Sequence, residues 1–365
     1  MGAWARIRAF LPSIRIPRSA PHKEHMADFE QAEPPAVALA EAVPALSGDG
    51  CDVLALDVII PTYNRAALLS RTFESLLAAD LPAGLAVQIN VVDNNSTDDT
   101  CRVVESFQTR FAQANLTLRY WFEARQGRSH ALNRGIAETG GALIGLIDDD
   151  EEVDARWFAC VRAVFNRSEV DFIGGPCKPR WSTAAPVWLP QGYGAVLGLV
   201  EAGDKVQRFG DDYAGMLMGG NAVIRRAALQ RVGLYAPHLG RGSRDLLSGE
   251  DQDMSDRLLA TGARGEYRPD LVIYHYVPPE RLTKRYYRRR VYWNGVSHGL
   301  IDRERPQAVP YLLGVPRFLF AQALAGVGEM WRGLWSAPAR RFNGELALWH
   351  LAGFLYGKHL HGRQN

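Results

Sequence analysis

Acids stand out first, because they are grouped and because each group sits behind an apolar run. Five successive carboxylates, Asp148 to Glu152, follow Ala142 to Ile147, and Asp93 follows a second such run in VVDNNS. Two carboxylates about 4 Å apart repel by roughly 1 kcal/mol in water, more when partly buried, so such a tract needs something to offset it. Mg²⁺ or Mn²⁺, hard cations shared between one or two carboxylates and substrate phosphates, suits these oxygen ligands. The alternative is a solvated acidic turn with Asp154 capping the next helix; the buried run ahead of the tract favours the cation. A further cluster, SGEDQDMSDRL, holds Glu250, Asp251, Asp253 and Asp256. Acids at a helix start complement the macrodipole, which accounts for Asp253 and Asp256. Gly249 marks a turn that would present the pair Glu250 and Asp251 to a cleft.

Phosphates would be held by metal and arginine, with Arg65 and Arg128 beside the strand-end loops as candidates; each also reads as an ordinary surface arginine. No G-x-G-x-x-G follows the first strand and no G-x-x-x-x-G-K-[ST] occurs, so dinucleotide and P-loop readings lose their main support.

The elements that must position these groups alternate. Val53 to Ile60 reads as a strand buried on both faces and ended by Pro61, Arg65 to Ala79 as a helix, and Val87 to Val92 as a second strand. A helix with Ser96 and Asp99 at capping-box spacing follows, then a strand at Leu116 to Phe122, a helix at Ser129 to Thr139 and the strand Ala142 to Ile147. Such alternation predicts a mostly parallel sheet flanked by helices, whose ligands bind beyond the carboxyl ends of the strands. Asp93 and the Asp148 tract fall at those ends.

The chain divides into a basic N-terminal segment and flexible linker (1–50), an α/β domain (51–300) and a C-terminal amphipathic helical extension (301–365). The first eighteen residues carry four arginines and no acid; they read as a short interfacial helix or a basic tail. In the extension, Phe318 to Gly328 and Leu346 to Tyr356 are too short to span a bilayer. With Trp331, Trp335 and Trp349 near basic residues they read as helices in an anionic membrane interface, or as a pair capping the domain. A net charge of +2 from 42 basic and 40 acidic residues gives no footprint for nucleic acid. The 4 scattered cysteines suit a reduced, cytoplasmic setting.

Six motifs in order then resemble the family 2 glycosyltransferases over roughly residues 55 to 300: VIIPTYNR, VVDNNSTDDT, GRSHALNRGI, LIDDDEE, GGNAVIRR and GEDQD. The resemblance implies a GT-A fold, a nucleotide-sugar donor (UDP-, dTDP- or GDP-linked) and inversion at the anomeric carbon. It places Pro61, Thr62 and Tyr63 near the nucleotide and Asp93 on its base. Asp148 and Asp149 then lie at the donor, Asp150 on Mn²⁺ or Mg²⁺, and Asp251, with Glu250 beside it, acts as catalytic base. The segment Arg281 to Trp293 lacks the Q-x-x-R-W signature of processive members, implying single additions; it reads as a phosphate-binding or lipid-diphosphate-binding segment, or as a solvated face. His275, in VIYHYV, reads as a further metal ligand or phosphate contact or, more simply, as a strand-end histidine that finds a hydrogen bond. The acceptor implied is a glycan or lipid-linked glycoconjugate, which would place the protein at the inner face of the cytoplasmic membrane. Two other readings stay open: a sugar-nucleotidyltransferase, and a catalytically silent scaffold with the same fold.

Overall fold

The computed structural model describes residues 53–361, apart from 168, 191, 241–245 and 334–337. The N-terminal segment expected over residues 1–50 lies outside the described residues, as do Cys51 and Trp335.

The predicted alternation forms β1 (Leu54–Thr62), α1 (Ala66–Ala78), β2 (Leu85–Asp93), α2 (Thr100–Gln113), β3 (Thr117–Phe122), α3 (Arg128–Ala137) and β4 (Leu143–Ile147). β3, β2, β1 and β4 lie side by side and parallel, so their carboxyl ends share one edge. β1 and β4 are apolar nearly throughout because helices cover both faces of the sheet. Phe73, Phe107 and Phe111 fill one side, and Ala131, Leu132 and Ile136 of α3 the other. Asp57, the one charge inside β1, is met by Gly141 N at 2.6 Å and by Arg226 at 3.4 Å.

Two local expectations change. Pro61 does not end β1: it pairs opposite Val92, and Thr62 still accepts Asn94 N–H at 2.8 Å. The capping box of Ser96 and Asp99 does not form. The Asp98 carboxylate instead accepts Thr100 N–H at 3.1 Å and Ala66 N–H at 3.0 Å, serving the starts of α2 and α1 together. Ser96 is turned to Asn64 N at 2.9 Å. One carboxylate thus locks the first two strand-end loops to each other.

The sheet continues through β6 (Phe172–Gly174), β8 (Gln207–Arg208), β9 (Asn221–Arg225) and β10 (Gly265–Tyr267), in the order β3-β2-β1-β4-β9-β6-β10-β8. β9 runs antiparallel between β4 and β6, and β8 antiparallel to β10, so the sheet is mostly parallel, as predicted. A second sheet joins β5 (Glu151–Val153), β7 (Cys177–Trp181) and β11 (Ile273–Val277) in the order β5-β11-β7. It ties the acidic tract to the chain around His275. Helices α4 (Trp157–Phe165), α5 (Arg226–Val232) and α6 (Glu250–Ala260) complete the layers.

The C-terminal part is helical: α7 (Lys284–Glu304), α8 (Arg317–Arg332) and α9 (Pro338–His359). α7 runs through residue 300, where the extension was expected to begin. α9 lies along α7 in backbone contact: a Cβ on Gly295, Gly299, Gly353 or Gly357 would collide with backbone of the facing helix. Close approach needs glycine on both sides. The helices therefore pack on the domain, while Leu324 and Trp331 of α8 remain 74% and 70% exposed. No helix among the described residues is long and apolar enough to cross a membrane.

Candidate active site

The shared strand edge opens into a cleft whose lining includes Arg65, Arg128, Asp148, Asp150, Glu151, Glu250, Asp251, His275 and Arg281. Parallel pairing supplies the first of these. Ile59 of β1 stands opposite Leu146 of β4, so the residues just past each strand meet. Thr62 Oγ1 donates to Asp149 at 2.8 Å, and Arg65 bonds Asp149 at 2.8 Å and Asp150 at 3.0 Å.

Arg128 opens α3 and joins the two acidic clusters. Its guanidinium reaches Asp148 at 3.0 Å, Asp251 at 3.1 Å and Glu250 at 3.5 Å. Residues far apart in sequence thus share one cation in one cleft. The GGN of GGNAVIRR explains how they fit. A side chain at Gly219 would run into Asp251 and Arg128, and one at Gly220 into Glu151. Asn221, buried behind them, donates to the Pro176 and Leu271 carbonyls at 3.2 and 2.7 Å and accepts Trp157 Nε1–H at 3.0 Å.

Asp150 is the most heavily partnered acid. Arg281 reaches it at 3.1 Å and His275 Nε2 lies 3.4 Å away. Burial alone would raise its pKa, but His275, Arg65 and Arg281 together hold it far below the usual carboxylate range. Asp149 moves the other way: burial, with the Asp150 charge beside it, outweighs Arg65 and raises it. Glu151 is raised by burial and by the charges of Asp148 and Asp150, although it accepts Asp148 N–H at 2.8 Å. The tract therefore divides its labour, with Asp148 and Asp150 facing the cleft and Asp149 turned back onto Thr62.

A divalent cation fits the donors present. Asp150 offers a carboxylate at the cleft wall; His275 Nε2, 3.4 Å from it, is met by Arg281 Nη1 at 3.0 Å, and the buried His275 Nδ1, with no partner among the described residues, is on the other side of the ring. No three His, Cys, Asp or Glu side chains among the described residues converge as a complete cage.

Other predicted residues stand around the cleft rather than in its wall. Asp93 is buried and accepts Ser96 N–H at 2.8 Å and Tyr120 O–H at 2.8 Å. Pro61 and Thr62 are buried in the edge of β1, and Tyr63 is 48% exposed beside them. In sequence His275 and Arg281 each fit several uses. The signal that would have found them is topological: β11 pairs antiparallel with β5, and Tyr276 N donates to the Asp150 carbonyl at 2.9 Å, so β11 delivers both residues to the acidic tract. A fourth wall, Tyr286, Arg290, Asn294 and His298, is one face of α7 at four-residue spacing.

The model of Glycosyl transferase family 2 matches residues 57–233. The N-acetylglucosaminyltransferase of Rhizobium meliloti is 27% identical over 282 residues, which is 76% of this chain and 62% of that protein. The beta-monoglucosyldiacylglycerol synthase of Synechocystis is 28% identical over 195 residues, 53% of this chain and 40% of that protein. The chain thus spans under two thirds of either relative. Among solved structures, the mannosyltransferase PcManGT from Pyrobaculum calidifontis superposes with a TM-score of 0.54 at 20% identity, covering 83% of this chain and 86% of that one. This likeness shows the GT-A fold. The family model, the relatives and the fold agree: over residues 57–233 the chain matches glycosyltransferase family 2.

Proposed function

We propose that the protein is an inverting glycosyltransferase that moves a sugar from a nucleotide-diphosphate donor to an acceptor hydroxyl, with Mn²⁺ or Mg²⁺ bound at Asp150. The observation that carries this reading is Arg128, whose one guanidinium bonds Asp148 of the acidic tract and Asp251 of the Glu-Asp pair. The PcManGT structure was solved with GDP-Man and Mn²⁺, which supports a nucleotide-sugar donor and a divalent cation here.

Asp251 is the base. One of its oxygens is fixed by Arg128, which orients the carboxylate and leaves the other to take the proton as the acceptor hydroxyl attacks. Glu250, buried beside it, shares Arg128 and holds the same helix start in place. Arg65 and Arg281 flank Asp150 and supply guanidinium forks for the departing diphosphate. A cation held by Asp150 would act there as a Lewis acid on the leaving oxygen. Asp93, Pro61, Thr62 and Tyr63 form the nucleotide side of the edge and Asp148 the donor side; Asp149, expected at the donor, is instead turned back onto Thr62 and Arg65 and braces the loop from behind. A glycan or lipid-linked acceptor, and peripheral placement at the inner face of the cytoplasmic membrane, complete the reading.

The decisive assay offers nucleotide sugars with Mn²⁺ and follows release. Nucleoside diphosphate released in Mn²⁺ and lost with chelator is the expected result. Pyrophosphate from a nucleoside triphosphate would mean a nucleotidyltransferase, and no turnover of any donor, with nucleoside diphosphate still bound, would mean a silent scaffold.

A further inference from the structure

One wall of the cleft holds none of the residues placed at the donor above. Along α7, Tyr286, Arg290, Asn294 and His298 recur every four residues and all face the cleft. At 1.5 Å per residue this column covers about 18 Å, one side chain for every 6 Å or so. Its polar ends are mostly unclaimed. Asn294 Oδ1 accepts Ser248 O–H at 2.7 Å, which leaves its amide nitrogen without a protein partner among the described residues. His298 Nδ1 meets His350 Nε2 at 2.9 Å, which leaves His298 Nε2, and the Tyr286 hydroxyl is bonded to no described residue. Arg290, the one cation of the column, directs a guanidinium nitrogen to the Leu246 carbonyl at 3.0 Å. Met216 and Met218 are apolar parts of the same lining.

Neutral donors and acceptors at regular intervals, with apolar surface nearby, match a sugar ring, which carries hydroxyls at its edge and C–H groups on its faces. A diphosphate would call for guanidinium forks instead, and those lie around the acidic tract. The column also sits on the correct side: Ser248, which bonds Asn294, immediately precedes Gly249, Glu250 and Asp251.

We infer that Tyr286, Asn294 and His298 form the subsite for a neutral, polyhydroxylated glycosyl acceptor, and that His350 positions its inner end from α9. This rests on the transferase reading above for the word acceptor. It assigns the C-terminal helices a task, since α9 fixes the orientation of a cleft imidazole through the glycine seam. His350 acts through His298 and touches no substrate.

The test uses the full chain loaded with Mn²⁺ and whichever nucleoside diphosphate most raises its melting temperature. Methyl glucoside, methyl galactoside and methyl N-acetylglucosaminide serve as neutral probes and methylenediphosphonate as the anionic one, read by saturation-transfer NMR. At least one neutral glycoside should bind. Asn294→Ala and His298→Ala should each weaken it tenfold or more, and Tyr286→Phe less, with nucleoside diphosphate affinity unchanged. His350→Ala should reproduce the His298→Ala defect, and His350→Gln, which keeps a hydrogen-bonding group, should restore most of the binding. Binding of the diphosphonate alone, no glycoside signal, or variants that bind glycoside like the parent would overturn the subsite. The transferase reading fails on a different observation: glycoside bound through the column by a chain that releases no nucleoside diphosphate from any donor.

Discussion

The two halves of the cleft are built by different means. On the strand-edge side, each functional group follows directly on a buried strand, and opposite charges set the geometry: Arg65, Arg128 and Arg281 each bond at least one acid at about 3 Å. On the helical side, neutral groups stand on one face of α7, held from behind by backbone packing against α9. The first half stores electrostatic energy that a substrate or cation can redirect; the second offers shape and hydrogen bonds. The difference teaches that chemistry and recognition in this fold come from separate layers, so substitutions should separate them too.

The largest effect should follow removal of the base. Asp251→Asn keeps the shape and the bond to Arg128 while abolishing proton uptake, so kcat should fall about 10² to 10⁴-fold with nucleoside diphosphate affinity unchanged by calorimetry. Asp150→Ala should do the reverse, weakening metal-dependent nucleoside diphosphate binding. Equal loss of donor affinity in both would erase the division between the base and the donor site. Gly219→Ala sharpens the point without replacing a charged group. A methyl there would press on Asp251 and Arg128, and a base displaced by an ångström can cost about 10²-fold in rate. Its kcat should drop while its melting temperature stays near that of the parent; an unaffected kcat would mean Asp251 need not be held where it is.

That division also explains what could be read from sequence. The strand edge was legible because local pattern and position coincide there: a short, β-branched run such as LIGLI within a strand-helix alternation reads as a buried strand, and whatever follows it lies at the edge, which is where Asp148, Asp150 and Asp93 stand. Asp251 needed the family resemblance, because a Glu-Asp pair at a helix start also satisfies the helix dipole. For His275 and Arg281 several uses stay open in sequence, because their place beside Asp150 depends on β11 pairing with β5, a contact between distant segments. The capping box was misread because Asp98, which serves two helices at once, outcompeted Ser96. The column on α7 was the least legible. KRYYRRRVYWNGVSHG is polar on several faces, and only the glycine seam decides which face α9 covers and which is left to the cleft.

The helical layer can be broken at that seam. Gly353→Val would drive a branched side chain against the Tyr292 carbonyl, and overpacking of this kind costs about 1 to 3 kcal/mol. The melting temperature should fall, and acceptor use should suffer more than nucleoside diphosphate binding, because α9 at this seam packs on α7, which carries the column. Parallel loss of both would show that the two layers are one unit.

The smallest effect comes from pH and acts on the same layer. Burial draws the pKa of His298 from 6.5 to about 4 and that of His350 to about 3, so the native pair stays neutral where the unfolded chain takes up protons. Stability from the pair is therefore complete above about pH 6.5 and is lost as pH falls toward 4. At pH 5 the loss is at most about 2 kcal/mol for each histidine, and less for His298, which the cleft wets. His350→Gln removes one of the two titrating groups, so its melting temperature should fall less steeply than the parent's between pH 7 and 5. Carboxylates such as Asp150 titrate in both proteins and cancel in the difference. Identical slopes would mean that α9 yields enough to let the pair charge, and the inner end of the column would then be no more rigid than a surface loop.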